Sequence, residues 1–181
     1  MRLFLAIDLP PLAKKHLDHQ LEKLEEEYSD FNWVSRENFH ITLHFFGETK
    51  RPDLIKKKIE EAVFEISSFK LYSLGADLFL NNKIVLHIYF RREKKLEELA
   101  SNISKVFRLE EKKKFVPHLT FGRSKVLSKQ QYINLKKKLH RLPIEIDFSV
   151  STIYLFQSII TQGKPIYKKI ASFPLLRQNR S

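Results

Sequence analysis

The chain contains no cysteine, which excludes a disulfide scaffold, a thiol nucleophile and a thiolate metal site, and accords with a reducing cytoplasm. Only four glycines occur in 181 residues, and none sits in a phosphate-cradling loop of the Walker or dinucleotide-binding type. No apolar run approaches the roughly 20 residues of a membrane span. The opening run from Leu3 to Ile7 stops at Asp8, too short for the core of a secretory signal. A soluble cytoplasmic protein is expected, monomeric, with no membrane association and no obligate protein partner.

What is present points to a packed domain with a basic surface. Fifteen Phe and six Tyr supply aromatic mass for a core, so disorder is excluded over most of the length. Lys and Arg total 33 against 21 acidic residues, a formal charge of +12. Such a field attracts polyanions, of which nucleic acid is the commonest in a cell. The cations are spread through mixed segments such as Lys56–Glu61 and Lys136–Lys138, so charge names a partner class and does not locate a site.

Periodicity predicts an α+β chain. Residues 2–8 read as a buried strand, and Pro10-Pro11 opens a helix over 12–28 with Leu17, Leu21 and Leu24 on one face. A short strand or loop at 32–35 carries Trp33, read as core or cleft wall. Strand 39–46 ends at Gly47, and a helix over 52–66 follows, with Leu54, Ile55, Ile59, Ala62 and Val63 as its stripe. Strands at 70–79 and 84–90 flank a turn at Asn81-Asn82, before a helix over 93–107 and an exposed loop over 110–114. A strand at 118–121 precedes a helix to Arg141, opened by a capping box of Ser128 and Gln131. Two β stretches, 144–156 and 165–171, close a single domain over 1–175, and 176–181 is expected to be a flexible tail.

One pattern recurs. Asn38-Phe39-His40-Ile41-Thr42-Leu43 is echoed by Val116-Pro117-His118-Leu119-Thr120-Phe121. With seven His and five Thr in the chain, chance gives only about 0.2 His-x-Thr tripeptides, so two in matched contexts mark a site. On a strand, residues i and i+2 share a face, so each segment presents an imidazole beside a hydroxyl. Two imidazoles across a cleft suit in-line attack on phosphorus, because each can serve as acid or base near neutral pH. The hydroxyls of Thr42 and Thr120 can donate to non-bridging oxygens as charge builds there. Arg123 can add a charge-assisted contact. This scheme needs no metal and no cofactor. His40 and His44 are spaced as two ligands on a helix would be, but the segment reads as strand and no third ligand follows, so a zinc site is rejected.

These residues resemble the 2H phosphoesterase superfamily, and within it the RNA 2′,3′-cyclic phosphodiesterases long called 2′–5′ RNA ligases. The likeness extends over Met1–Pro10, Trp33-Val34, Glu37–Leu43, Phe45–Glu48, Pro117–Thr120 with Arg123, Ile153–Ser158 and Gly163–Tyr167. It implies a bilobal fold of two antiparallel sheets facing across a central cleft, with helices outside and a pseudo-two-fold internal repeat. It implies hydrolysis of a 2′,3′-cyclic phosphate RNA end to a 2′-phosphomonoester, and reversible 2′–5′ ligation through the same site. By that likeness His40 is the acid protonating the leaving 3′ oxygen and His118 the base, while Thr42, Thr120 and Arg123 hold the phosphate.

Two positions depart from the family. His44 stands where relatives commonly carry Lys or Arg, and alternation puts it on the face of His40 and Thr42. It is a weaker phosphate contact, a third titrating group, or a rim residue without a role. His87-Ile88-Tyr89 replaces the usual Trp-x-Gly, implying either altered substrate shape or a repacked edge. The alternative to an enzyme is a module that binds nucleotides or RNA ends without turnover. Against it stands the survival of both His-Thr pairs together.

Overall fold

Burial is shared between sheet faces and helix stripes, and the computed structural model shows where each goes; it describes residues 1–80, 82–109 and 115–177. β1 (Arg2–Asp8) leads to α1 (Pro11–Glu27), the two-residue β2 (Asn32–Trp33), β3 (His40–Glu48) and α2 (Pro52–Val63). β4 (Phe69–Leu80), β5 (Ile84–Phe90), α3 (Lys94–Phe107), β6 (His118–Ser124) and α4 (Lys129–Arg141) follow. The last three strands are β7 (Asp147–Val150), β8 (Thr152–Thr161) and β9 (Lys164–Pro174). The fold class is α+β, as expected. Asn81 of the expected turn, the expected loop 110–114 and residues 178–181 of the expected tail lie outside the described residues.

Leu176 does not begin a loose tail. Its N–H donates to the Ile66 carbonyl, and its own carbonyl accepts from the Ser68 N–H. The same pairing explains why α2 stops at Val63 and not at Ile66, since Ile66 has left the helix to bond with Leu176. Leu54, on the first turn of α2, is exposed while Ile59, Ala62 and Val63 are buried. α1 buries Ala13, Leu17, Leu21 and Leu24 at the spacing read from sequence. The capping box of α4 forms in both directions, Ser128 Oγ accepting from the Gln131 N–H and Gln131 Oε1 from the Ser128 N–H. Among the described residues no helix is long and apolar enough to cross a membrane.

The named strands pair antiparallel, in the order β7-β4-β5-β6-β3-β1-β8-β9, with β2 added on β6. The expected pair of sheets is therefore one continuous sheet. Its two halves, β3-β1-β8-β9 and β7-β4-β5-β6, join through a single bridge between Ile41 and Leu119. The β stretch expected over 144–156 splits at Ser151 because its parts serve different halves. β7 pairs with β4, and β8 crosses over to pair with β1.

One face of the sheet packs on the helices. Leu3, Leu5 and Ile7 of β1 lie in that core with Ile41, Leu119 and Phe121. On the opposite face Phe4, Ala6 and Phe156 form a small separate cluster, partly covered by Tyr154 and Tyr167. Trp33 belongs to the helix side, stacked on Phe121 with ring centroids 6.2 Å apart and donating from Nε1 to the Tyr28 carbonyl at 3.0 Å. It leaves little room at Gly122, where an added Cβ would meet the indole at 3.0 Å and Leu86 Cδ1 at 3.2 Å. Gly122→Ala is expected to cost about 1–3 kcal/mol by overpacking. Urea unfolding followed by the fluorescence of the single tryptophan measures it, and an unchanged midpoint would show that the indole can shift freely.

Candidate active site

The bridge between Ile41 and Leu119 is the organising contact. In the register it sets, His40 lies across from Thr120 and Thr42 across from His118. Each imidazole thus has a hydroxyl on its own strand and another on the facing one. Ile41, Leu43, Leu119 and Phe121 are buried toward the helices, as alternation requires. His40, Thr42, His118, Thr120 and Arg123 line one cleft of about 740 Å³, within the size range of small-ligand sites. Its walls also include Phe45, Phe79, Phe115 and Tyr167. Composition gave no signal for these aromatic walls, because cleft and core aromatics read alike in sequence.

Matched bulges complete the site. Phe121 is an extra residue in β6, skipped between the pairs Leu86 with Gly122 and His87 with Thr120. Plain alternation would turn Arg123, at an odd offset from His118, away from the cleft. The bulge reverses that parity and brings Arg123 to it. Leu43 is the equivalent extra residue in β3, skipped between Leu5 with His44 and Ala6 with Thr42. Here the parity change gives the cleft face to Phe45, which contacts Phe4 at 5.8 Å between ring centroids. His44 consequently does not share the face of His40 and Thr42. It borders the cleft, but its ring packs against Phe46 at 4.8 Å and Phe107 at 6.1 Å.

The two imidazoles are oriented alike. His40 Nδ1 lies 2.6 Å from the Asn38 carbonyl, and His118 Nδ1 lies 2.8 Å from the Val116 carbonyl. A carbonyl only accepts, so Nδ1 carries the proton in both rings and Nε2 is the ring nitrogen left without it. His40 Nε2 sits 3.0 Å from Thr42 Oγ1. Its ring is also fixed by Phe4 at 5.0 Å and by the edge of Tyr167 at 5.2 Å. Burial lowers the His40 pKa below the usual histidine value; the bond to the Asn38 carbonyl and the Asp8 charge oppose this, and Lys14 and Arg123 add to it. Burial also lowers His44.

His87 is the unexpected member of this neighbourhood. It is buried in β5, an interior strand, so the departure noted in sequence does not repack an edge. Its ring stacks on Phe79 at 3.8 Å and stands edge-on to His118 at 5.8 Å. Burial pushes its pKa down to about 4, with the nearby His118 adding to the effect against Val85 and Asp77. His19 and His140, by contrast, are exposed and pair with Glu22 and Asp77 at 3.2 and 3.3 Å. Among the described residues no three His, Cys, Asp or Glu side chains group as metal ligands would.

A family model described as the 2'-5' RNA ligase superfamily matches residues 13–159. The chain belongs to this superfamily. Among superfamily relatives, the "RNA 2',3'-cyclic phosphodiesterase" of Thermotoga maritima is 33% identical over 178 residues, covering 93% of this chain and 92% of that protein. The protein of the same name from Methanocaldococcus jannaschii is 28% identical over 183 residues, covering 94% and 98%. In fold, the chain is similar to E. coli LigT in its apo form, with a TM-score of 0.75 at 23% identity and 97% of both chains covered. TT0787 of Thermus thermophilus superposes with a TM-score of 0.73 at 21% identity, covering 99% and 100%.

Proposed function

We propose that the cleft hydrolyses the 2′,3′-cyclic phosphate at an RNA end to a 2′-phosphomonoester, without a metal, in the cytoplasm. The supporting observation is the matched pair of imidazoles, each with Nδ1 tied to a carbonyl two residues upstream and each within one cleft. His118 Nε2 takes a proton from water as the water oxygen bonds to phosphorus. The bond from phosphorus to O3′ breaks on the opposite side, and His40 Nε2–H gives its proton to O3′. The Thr42 and Thr120 hydroxyls and the Arg123 guanidinium hold the non-bridging oxygens as charge gathers on them. A bound phosphodiester anion favours the charged form of His40, offsetting the burial that disfavours it. His44, turned toward Phe46 and Phe107, shapes the rim and is not assigned a proton.

The superfamily relatives named as RNA 2',3'-cyclic phosphodiesterases support this substrate class. Run backwards, with a 5′-hydroxyl RNA in place of water, the same groups would join ends through a 2′–5′ linkage. A short RNA with a cyclic-phosphate end, assayed with and without EDTA, tests the proposal. The expected product is a 2′-phosphate end, formed at the same rate in both. Loss of activity in EDTA would overturn the metal-free mechanism. Saturable nucleotide binding without turnover at any pH would favour the binding-module reading instead.

A further inference from the structure

A second cavity lies next to the cleft, and nothing in the chemistry above uses it. It measures about 680 Å³ and is lined by Lys14, Lys15, Arg36, Lys169, Asp8 and Tyr154 among others. Four of its lining residues are cations against two carboxylates, Asp8 and Glu37. Alternation and register place it. Asp8 follows Phe4 and Ala6 on the cleft face of β1 and pairs across from His40. Tyr154 and Tyr167 partly cover the same small cluster as Phe4 and Phe156, and Lys169 reaches over the Tyr154 ring at 4.0 Å. The cavity therefore continues the concave surface past His40, with the pair His40 and Asp8 as the divide.

Its cations are arranged, not merely numerous. The half-buried Asp8 carboxylate holds both Lys14 and Lys169 at 2.6 Å, and Lys14 also donates to the Glu37 carbonyl at 2.7 Å. Lys15 makes no ion pair among the described residues, and Arg36 reaches Asp18 and Glu37 only at 3.6 Å. The wall at Pro10 and Pro11 is the N-terminus of α1, a helix with no acidic residue in its first turn, so its dipole adds to the positive field.

Reaction geometry gives this field a ligand. Water enters on the His118 side and O3′ departs toward His40, so the ribose and the chain attached to it lie on the His40 side. Among the described residues, the wall of the cleft beyond His118 is formed by Phe79, Phe115 and Val116, which are apolar. We propose that the basic pocket beyond His40 holds the sugar–phosphate backbone of the nucleotides that precede the cyclic-phosphate end. The pocket thereby makes the site selective for an oligonucleotide end over a free cyclic mononucleotide. This rests on the cyclic phosphodiesterase reading and on its assignment of His40 as the acid.

Lys15 and Arg36 are the residues to test, since neither takes part in the ion pairs of Asp8 nor touches the reacting groups. A double substitution, Lys15→Glu with Arg36→Glu, is assayed on adenosine 2′,3′-cyclic phosphate and on a five-nucleotide RNA with a cyclic-phosphate end. The oligonucleotide KM is expected to rise about tenfold or more with kcat unchanged, and its salt dependence to fall by one to two contacts. Mononucleotide kinetics should stay as in the wild type, which also reports that the variant is folded. An unchanged oligonucleotide KM beside normal mononucleotide turnover overturns the pocket and leaves the phosphodiesterase reading intact. Failure of the wild type to open either substrate overturns that reading, and the pocket with it.

Discussion

His40→Ala and His118→Ala are each expected to reduce kcat/KM on a cyclic-phosphate RNA end by about 10²–10⁴-fold, the usual share of one positioned acid or base. The two rings act on the same displacement, so the double variant should lose far less than the product of the single losses. Neither change should unfold the protein. Both rings lie on the open side of the sheet, and the buried neighbours Ile41 and Leu119 keep the bridge between the halves. Either variant with wild-type turnover would sink the two-histidine mechanism. A leaving group that needs no protonation separates the roles: such a substrate should restore His40→Ala, the variant lacking the proposed acid, and leave His118→Ala impaired.

The second large effect concerns stability, through His87. The folded state holds this imidazole down at about 4 against an ordinary 6.5. Between those values the unfolded chain binds a proton that the folded chain refuses. Its contribution to stability is thus complete above pH 6.5 and is lost as pH falls toward 4, an amount of about 3 kcal/mol. His87→Phe should remove that slope, since a phenyl ring can keep the stack on Phe79 and carries no titrating nitrogen. Urea unfolding of both proteins at pH 7 and pH 4.5 measures it. His40 and His44 act in the same direction in both proteins, so the difference isolates His87. Parallel losses in the two proteins would mean that water reaches the ring and the pocket is not dry. While His87 stays neutral, it places no positive charge beside the His118 ring.

Much of this was legible in the chain. The helices of Leu17, Leu21 and Leu24 and of the Ser128 capping box follow from local periodicity and local hydrogen bonds, and they form where the sequence puts them. The His-x-Thr pairs were legible because two-residue alternation is a property of any strand. Their partner strands were not, because pairing is decided by distant residues. β7 and β8 look like one stretch until Ser151 is seen to pass from one half of the sheet to the other.

The neighbours of the motif show the boundary most clearly. Arg123 was expected at the phosphate, yet alternation alone would have aimed it away, and only the bulge at Phe121 turns it in. His44 was expected beside Thr42, and the matching bulge at Leu43 gives that place to Phe45. A bulge is a mismatch in length between two strands, so it cannot be read from either one alone. By itself the sequence determined which imidazoles and hydroxyls share a strand face and what chemistry such a group can perform, because those depend on residue type and local spacing. Tertiary structure decided which other side chains line the cleft and where the basic cavity lies beside it, because register between strands far apart in sequence sets both.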